Sequence, residues 1–257
     1  MFGRDHLDQP AGPRGCRAYV VGDIHGRLDL LDELLGKIDA ELAERPSRKT
    51  LLVSVGDLID RGPSSSQVVE RLRTYSHEGV RTVFLLGNHE EVLLRILEGD
   101  ASLIPSWLRF GGAQCLESYG VDPLLLTGLS DDRIVDRVRQ AVPRVHVEFL
   151  RSFADTCRFG DYLFVHAGIR PGVELQEQRQ KDLRWIREPF LLDDTPHGFI
   201  VVHGHTISNE VEERPNRIGI DTGAFATGVL TALAIEGKER WFLDTRVTVG
   251  TPVSAAH

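Results

Sequence analysis

Five short apolar runs in this chain each end on a polar cluster flanked by glycine, and that pattern constrains the fold more than any other feature. Ala18–Val21 leads into Gly22-Asp23-Ile24-His25-Gly26, Leu51–Val55 into Gly56-Asp57-Leu58-Ile59-Asp60-Arg61-Gly62, and Thr82–Leu86 into Gly87-Asn88-His89-Glu90. Tyr162–Val165 and Phe199–Val202 end in the same manner, on His166-Ala167-Gly168 and His203-Gly204-His205-Thr206. Short runs rich in β-branched and aromatic residues and closed by turn formers read as buried strands. Between the first two, Leu28, Leu31, Leu34, Leu35, Ile38 and Leu42 recur every three to four residues until Arg45-Pro46, which predicts an amphipathic helix. A second helix is expected after Arg61-Gly62-Pro63-Ser64, carrying Val68, Val69, Leu72 and Tyr75. The first 90 residues therefore read βαβαβ. Asp57 follows Asp23 by 34 residues and Asn88 follows Asp57 by 31, about one βα unit each. Ligands of such sheets bind at the carboxyl ends of the strands, so all five clusters are predicted to face one cleft.

From Glu90 to about Phe159 the pattern turns mostly helical, an insertion over residues 91–159 between sheet strands. After Pro196 it returns to β, with Arg217–Ile220, Val229–Ile235 and Arg240–Leu243 spaced like a meander that would form a second sheet packed on the first. A chain of 257 residues is within reach of one α/β domain, here residues 18–257, behind a flexible tail over residues 1–17. That tail has no apolar core and cannot be a secretory signal, and the longest late uncharged stretch, Thr222–Ile235, is too short for a bilayer. The net charge of −8 disfavours nucleic acid and anionic membrane as partners. Three scattered cysteines, Cys16, Cys115 and Cys157, make neither a disulfide framework nor a thiolate metal site and fit a cytoplasmic protein.

The donors at the strand ends are Asp, His, Asp, Asn, His and His. Oxygen and imidazole nitrogen without sulfur suit Mn, Fe or Zn, and six ligands suit two divalent ions sharing one carboxylate. Of His203 and His205, spacing alone does not choose.

These segments resemble the calcineurin-like metallophosphoesterases, and within them the phosphoprotein phosphatases that act on phosphoserine and phosphothreonine. GDIHG, GDLIDRG, GNHE, HAG and GHT match in order, from Gly22 to Ala224, and Trp107-Leu108-Arg109-Phe110-Gly111-Gly112 is similar to a segment of the compact phage and bacterial branch. The resemblance implies a four-layer α/β sandwich of two mixed sheets flanked by helices. It implies that Asp23 and His25 hold one metal, that Asp57 bridges, and that Asn88, His166 and His205 hold the second. His203 then becomes a candidate for supporting a ligand. It maps phosphate contacts to Arg61 and, through Trp185-Ile186-Arg187-Glu188, to Arg187. It maps the general acid to His89 with Asp60 behind it. Asp221-Thr222-Gly223 supports the site without chemistry of its own, and His6, His77, His146, His197 and His257 receive no role.

The implied reaction is hydrolysis of a phosphomonoester by direct attack of a metal-bridging water, most readily with Mn²⁺, on a phosphorylated protein or small phosphorylated substrate. Related bacterial enzymes split dinucleoside polyphosphates such as diadenosine tetraphosphate with the same metals, and that is the alternative. The symmetrically cleaving group typically lacks the residue that is Asp60 here, which argues mildly against it. HAG in place of HGG and a shorter chain separate this sequence from the eukaryotic enzymes and leave regulatory subunits open. A catalytically dead scaffold would show a lost ligand, and none is lost.

Overall fold

Alternation along the strands decides how the layers stack. In β1 (Cys16–Val21) Ala18 and Val20 enter one apolar cluster, while Tyr19 and Val21 enter another. A strand buried on both faces must lie between two layers. The computed structural model describes residues 9–45 and 49–246. After β1 come α1 (Leu28–Glu44), β2 (Lys49–Ser54), α2 (Ser65–Arg73), β3 (Val80–Phe84), α3 (Asn88–Glu98), α4 (Ile104–Trp107), α5 (Ala113–Ser118), α6 (Asp131–Ala141) and α7 (Arg144–Arg151). The second half holds β4 (Thr156–Phe159), β5 (Tyr162–Val165), α8 (Gln180–Trp185), β6 (Ile200–His203), β7 (Glu212–Glu213), β8 (Arg217–Gly219), α9 (Ala224–Thr227), β9 (Thr231–Glu236) and β10 (Glu239–Asp244).

Two five-stranded mixed sheets result, ordered β10-β9-β1-β2-β3 and β4-β5-β6-β8-β7. Ala18, Val20, Val53 and Leu233 of the first meet Phe164, Val202 and Ile218 of the second in the central apolar layer. Tyr19, Val21 and Leu52 face outward onto Leu31, Leu34, Leu35 and Ile38 of α1 and onto the helical insertion. On the far side, Leu163, Val165 and Val201 receive Leu183, Ile186 and Phe190. Three apolar layers thus separate four layers of secondary structure, as the family resemblance implied. Each fully buried leucine or valine contributes about 1.5 to 3 kcal/mol to this arrangement.

Three expectations need correction. Residues 1–8 of the expected tail lie outside the described residues, but its remainder is bonded into the domain. Ala11 N–H donates to Asp161 Oδ2 and Asp161 N–H to Ala11 O, both at 2.9 Å, and Cys16 and Arg17 already belong to β1. The insertion ends earlier than residue 159, because Thr156–Phe159 is an edge strand antiparallel to β5. The expected meander is divided between the sheets: β8 pairs parallel with β6, whereas β9 returns antiparallel to β1 and carries β10 beside it. The connection through α9 is longer than the two to five residues of a hairpin loop, so it can cross from one sheet to the other.

The insertion is fastened to the βαβ frame by polar contacts as well as by packing. His146 of α7 bonds Tyr119 OH at 3.0 Å and Glu70 of α2 at 3.1 Å, which gives a structural place to a histidine without a predicted role. Among the described residues no helix is long and apolar enough to cross a membrane.

Candidate active site

β1, β2 and β3 run parallel, and β5, β6 and β8 run parallel to one another in the second sheet, so their carboxyl ends bring the polar clusters together. His25, Asp57, Asp60, Arg61 and His205 are the non-glycine residues with positive φ among those described, from 45° to 71°. Left-handed backbone at such residues costs about 1 to 3 kcal/mol each and persists only where surroundings enforce it. All five lie in this cleft.

Asp57 sits at its centre. One carboxylate oxygen is 3.5 Å from His25 Nε2 and the other is 3.5 Å from His166 Nε2. Two groups able to hold a metal ion share it: His25, Asp57 and His89, and Asp57, His166 and His205, each with ligand atoms within 4.8 Å of one another. Burial would raise the Asp57 carboxyl, but the ring of histidines around it outweighs burial and lowers it, so it stays ionised. Gly87 lets α3 start against this residue, since a Cβ there would overlap Asp57 Oδ1.

The donor atoms fit cations. His25 Nδ1–H points at Ile59 O and His166 Nδ1–H at Val55 O, both at 2.8 Å, which leaves each Nε2 bare and inward. Burial lowers His25 and His205 to about 3 and lowers His166 as well, so all three are neutral, the form that binds metal. Asn88 Oδ1 lies 2.9 Å from His166 Nε2 and 2.8 Å from His205 Nδ1, and a cation would satisfy electron pairs that converge in this way. Asp23 Oδ1 and His25 Nε2 are buried without a hydrogen-bond partner among the described residues, which is costly unless an ion binds there.

Asp23 belongs to neither of these groups of three, and its Oδ2 accepts the N–H of His205, a member of the second, at 3.0 Å. His203 bonds no residue of either group: its Nδ1 meets Gly204 O at 3.1 Å and its ring packs edge-on against Phe190.

A second device lies next to the first. His89 Nδ1 is 2.6 Å from Asp60 Oδ2, and its Nε2 faces Arg61 Nη2 at 3.2 Å. Burial pulls the imidazole down, but Asp57 and Asp60 outweigh it and raise it to about 9. Arg61 is steadied over the Phe225 ring at 4.7 Å. A pocket of about 370 Å³ opens onto these groups. It is lined by Arg61, Asn88, His89 and His205, by Trp185 and Arg187, and by Trp107 and Phe110 of the insertion.

The family description calcineurin-like phosphoesterase matches residues 16–226, most of the chain. The chain belongs to the calcineurin-like phosphoesterases. It is a metal-dependent phosphatase on that basis. The asymmetrical bis(5'-nucleosyl)-tetraphosphatase PrpE of Oceanobacillus iheyensis is 33% identical over 86% of this chain and 89% of its own. Serine/threonine-protein phosphatase 1 of Salmonella typhimurium is 29% identical over 85% of this chain and 91% of its own. A crystal structure described provisionally as a diadenosine tetraphosphatase shares the fold, with a TM-score of 0.64, 23% identity, and coverage of 90% of this chain and 94% of that one.

Within this phosphoesterase the sequence reading gave no role to one carboxylate. Glu90, the last residue of GNHE, is fully buried and accepts four backbone N–H groups, from Asp57, Leu58, Ile59 and Gly87, at 2.8 to 3.3 Å. It holds the strained Asp57 turn, and its place three residues after Gly87, where a helix-capping glutamate belongs, was the available signal. Glu90→Gln replaces one acceptor oxygen by a donor. It is expected to lower the unfolding free energy by about 3 kcal/mol in urea denaturation. A loss under about 1 kcal/mol would show that the turn holds itself. Asp221, read in the sequence as support for the site, lies beside Asp23: burial raises it to about 6, Gly223 N–H bonds Oδ1 at 2.9 Å, and its buried Oδ2 has no hydrogen-bond partner among the described residues.

Proposed function

We propose that this chain is a dinuclear phosphomonoesterase that removes phosphate from phosphoserine and phosphothreonine in proteins. The observation that carries the reading is the His89–Asp60 pair, 2.6 Å apart and buried beside Arg61. An alkoxide leaving a serine or threonine needs a proton, and a fixed imidazole supplies one. A nucleotide phosphate leaves a phosphoanhydride as a stable anion and has far less need of it.

Asp23, His25 and Asp57 would hold one divalent ion, and Asp57, Asn88, His166 and His205 the other. The oxygen and nitrogen donors suit Mn²⁺, with Fe or Zn as alternatives. Bound there, such ions supply a nucleophilic water at neutral pH and offset the charge of the phosphoryl group. The chain's own side chains do the rest. Arg61 and Arg187 grip phosphate oxygens through forked N–H groups that lysine could not reproduce. As Arg61 turns to the phosphate, its repulsion of the His89 imidazolium is neutralised. His89 Nε2–H then faces the ester oxygen and donates to it as the bond to phosphorus breaks. Asp60 keeps the ring in orientation and stabilises its charged form.

A specific observation favours the dinucleoside polyphosphate reading as second. Phe110 is 60% exposed and Trp185 37% exposed, and both line the pocket, where they could stack on bases. Protein reconstituted with Mn²⁺ is to be assayed for phosphate release from a phosphothreonine peptide and for nucleotide release from diadenosine tetraphosphate. The expected result is a kcat/KM about a hundredfold higher on the peptide, about 2.7 kcal/mol of discrimination. The reverse preference would make it a nucleotide hydrolase with the insertion as its base-binding wall. Either result is compatible with a cytoplasmic enzyme whose acidic surface avoids nucleic acid and membrane.

A further inference from the structure

Asp60 is fully buried, and the groups that hold it come from three parts of the chain. Its N–H donates to Ser65 Oγ at 2.9 Å, His89 bonds Oδ2 at 2.6 Å, and the indole N–H of Trp107 reaches Oδ1 at 3.2 Å and Oδ2 at 3.1 Å. Trp107 belongs to the helical insertion, 47 residues further along the chain, and the reaction described above makes no use of it. Its side chain is almost wholly buried, and Gly112 closes the following turn against it, since a Cβ there would overlap the indole. Gly111 O in the same turn accepts Arg61 N–H at 3.2 Å. The insertion therefore holds Asp60 by a side chain and Arg61 by backbone.

We propose that Trp107 is a positioning residue for the general acid, its indole N–H bridging both oxygens of Asp60 so that Oδ2 stays on His89 Nδ1. The proposal rests on the phosphomonoesterase reading with His89 as acid. Rotation about the bond to a carboxylate is soft. The Trp107 indole, itself held by burial, is a second donor beside His89 and limits how far the carboxylate can shift away from the imidazole. Misplacement of a reacting group by about 1 Å can cost about a hundredfold in rate. Indole offers a single N–H and no acceptor, so it holds Asp60 without competing for the proton on His89.

The test compares metal-loaded wild type, Trp107→Phe, His89→Asn and the double variant on the phosphothreonine peptide and on p-nitrophenyl phosphate, whose leaving group needs less protonation. In Trp107→Phe, kcat should fall at least about tenfold on the peptide and by a clearly smaller factor on the aryl ester, with KM changed less than about twofold. In the His89→Asn background the same change should cost less than about twofold, because the two residues act through one proton transfer. An equal loss on both substrates, or a loss that persists without His89, would reduce Trp107 to a packing residue and overturn the proposal. A wild type that releases no phosphate, or a His89→Asn variant without leaving-group dependence, would instead strike the underlying reading. A second measurement does not depend on the folding of Trp107→Phe. The chain has three tryptophans, so the Trp107 indole N–H resonance can be found by elimination with Trp185→Phe and Trp241→Phe. It should move in Asp60→Asn, and a resonance that stays in place would overturn the proposal.

Discussion

Replacing His89 by asparagine is expected to lower kcat on a phosphothreonine peptide by about 10²- to 10⁴-fold while both metals remain bound. His89 Nε2 lies 3.9 Å from the nearer Asp57 oxygen and 3.2 Å from Arg61 Nη2, between the metal groups and a phosphate-gripping guanidinium. That is where the oxygen leaving phosphorus would have to be met. Asparagine has no proton of suitable acidity to give, so the alkoxide would depart unassisted. On p-nitrophenyl phosphate the defect should shrink to less than about tenfold. The variant should also lose stability, because Asp60 would keep the Trp107 indole and lose its charged partner, a change that commonly costs about 3 to 5 kcal/mol. Kinetics and melting are therefore read separately, at a temperature where the variant is folded. Unchanged turnover of the alkyl ester would remove His89 from the acid role and leave the proton to come from solvent.

What the sequence revealed and what it concealed have different physical origins. The clusters after β1, β2, β3, β5 and β6 were legible because each is local: an apolar run stops, glycine permits the turn, and the functional side chain follows at once. The parallel order of the first three strands was legible because the intervening helices have the length of a crossover. The fate of β9 and β10 was not, because pairing depends on what a strand meets across the sheet. Leu233 faces the second sheet while Ala232 and Ala234 face the helices, a division that periodicity alone cannot assign to one sheet or the other. In the site, residues that touch the expected ions announced themselves by type. Glu90 and Trp107 did not, because each acts through another residue. A buried glutamate that accepts four N–H groups reads in sequence as one more acid on a helix, and Trp107 stood out only as part of a segment resembling the compact branch, with no role attached.

Asp57→Asn is expected to have the other large effect, on both metals together. Its carboxylate is the member common to the two groups, 3.5 Å from a bare histidine nitrogen on either side. Asparagine offers one acceptor oxygen and no charge, so the position with Asn88, His166 and His205 would lose its anionic ligand and the other would be left with Asp23 alone. Outer partners of metal ligands already change affinity by about 10- to 100-fold, so a shared ligand should change it by more than about a hundredfold. Turnover should fall by about a thousandfold or more, several kcal/mol of lost charge stabilisation. A measurement without turnover separates loss of metal from loss of chemistry. Wild type given metal at about a hundred times its dissociation constant should gain about 2.7 kcal/mol of stability per occupied position, read as a rise in melting temperature over the metal-free protein. In Asp57→Asn that rise should vanish. The metal-free variant should melt close to metal-free wild type or above it, because the buried carboxylate that the substitution removes carries a desolvation penalty when no cation is present. A variant that kept the full metal-dependent rise while losing turnover would place Asp57 outside the metal shell. The histidines on its two sides would then have to hold their ions without a shared anion between them.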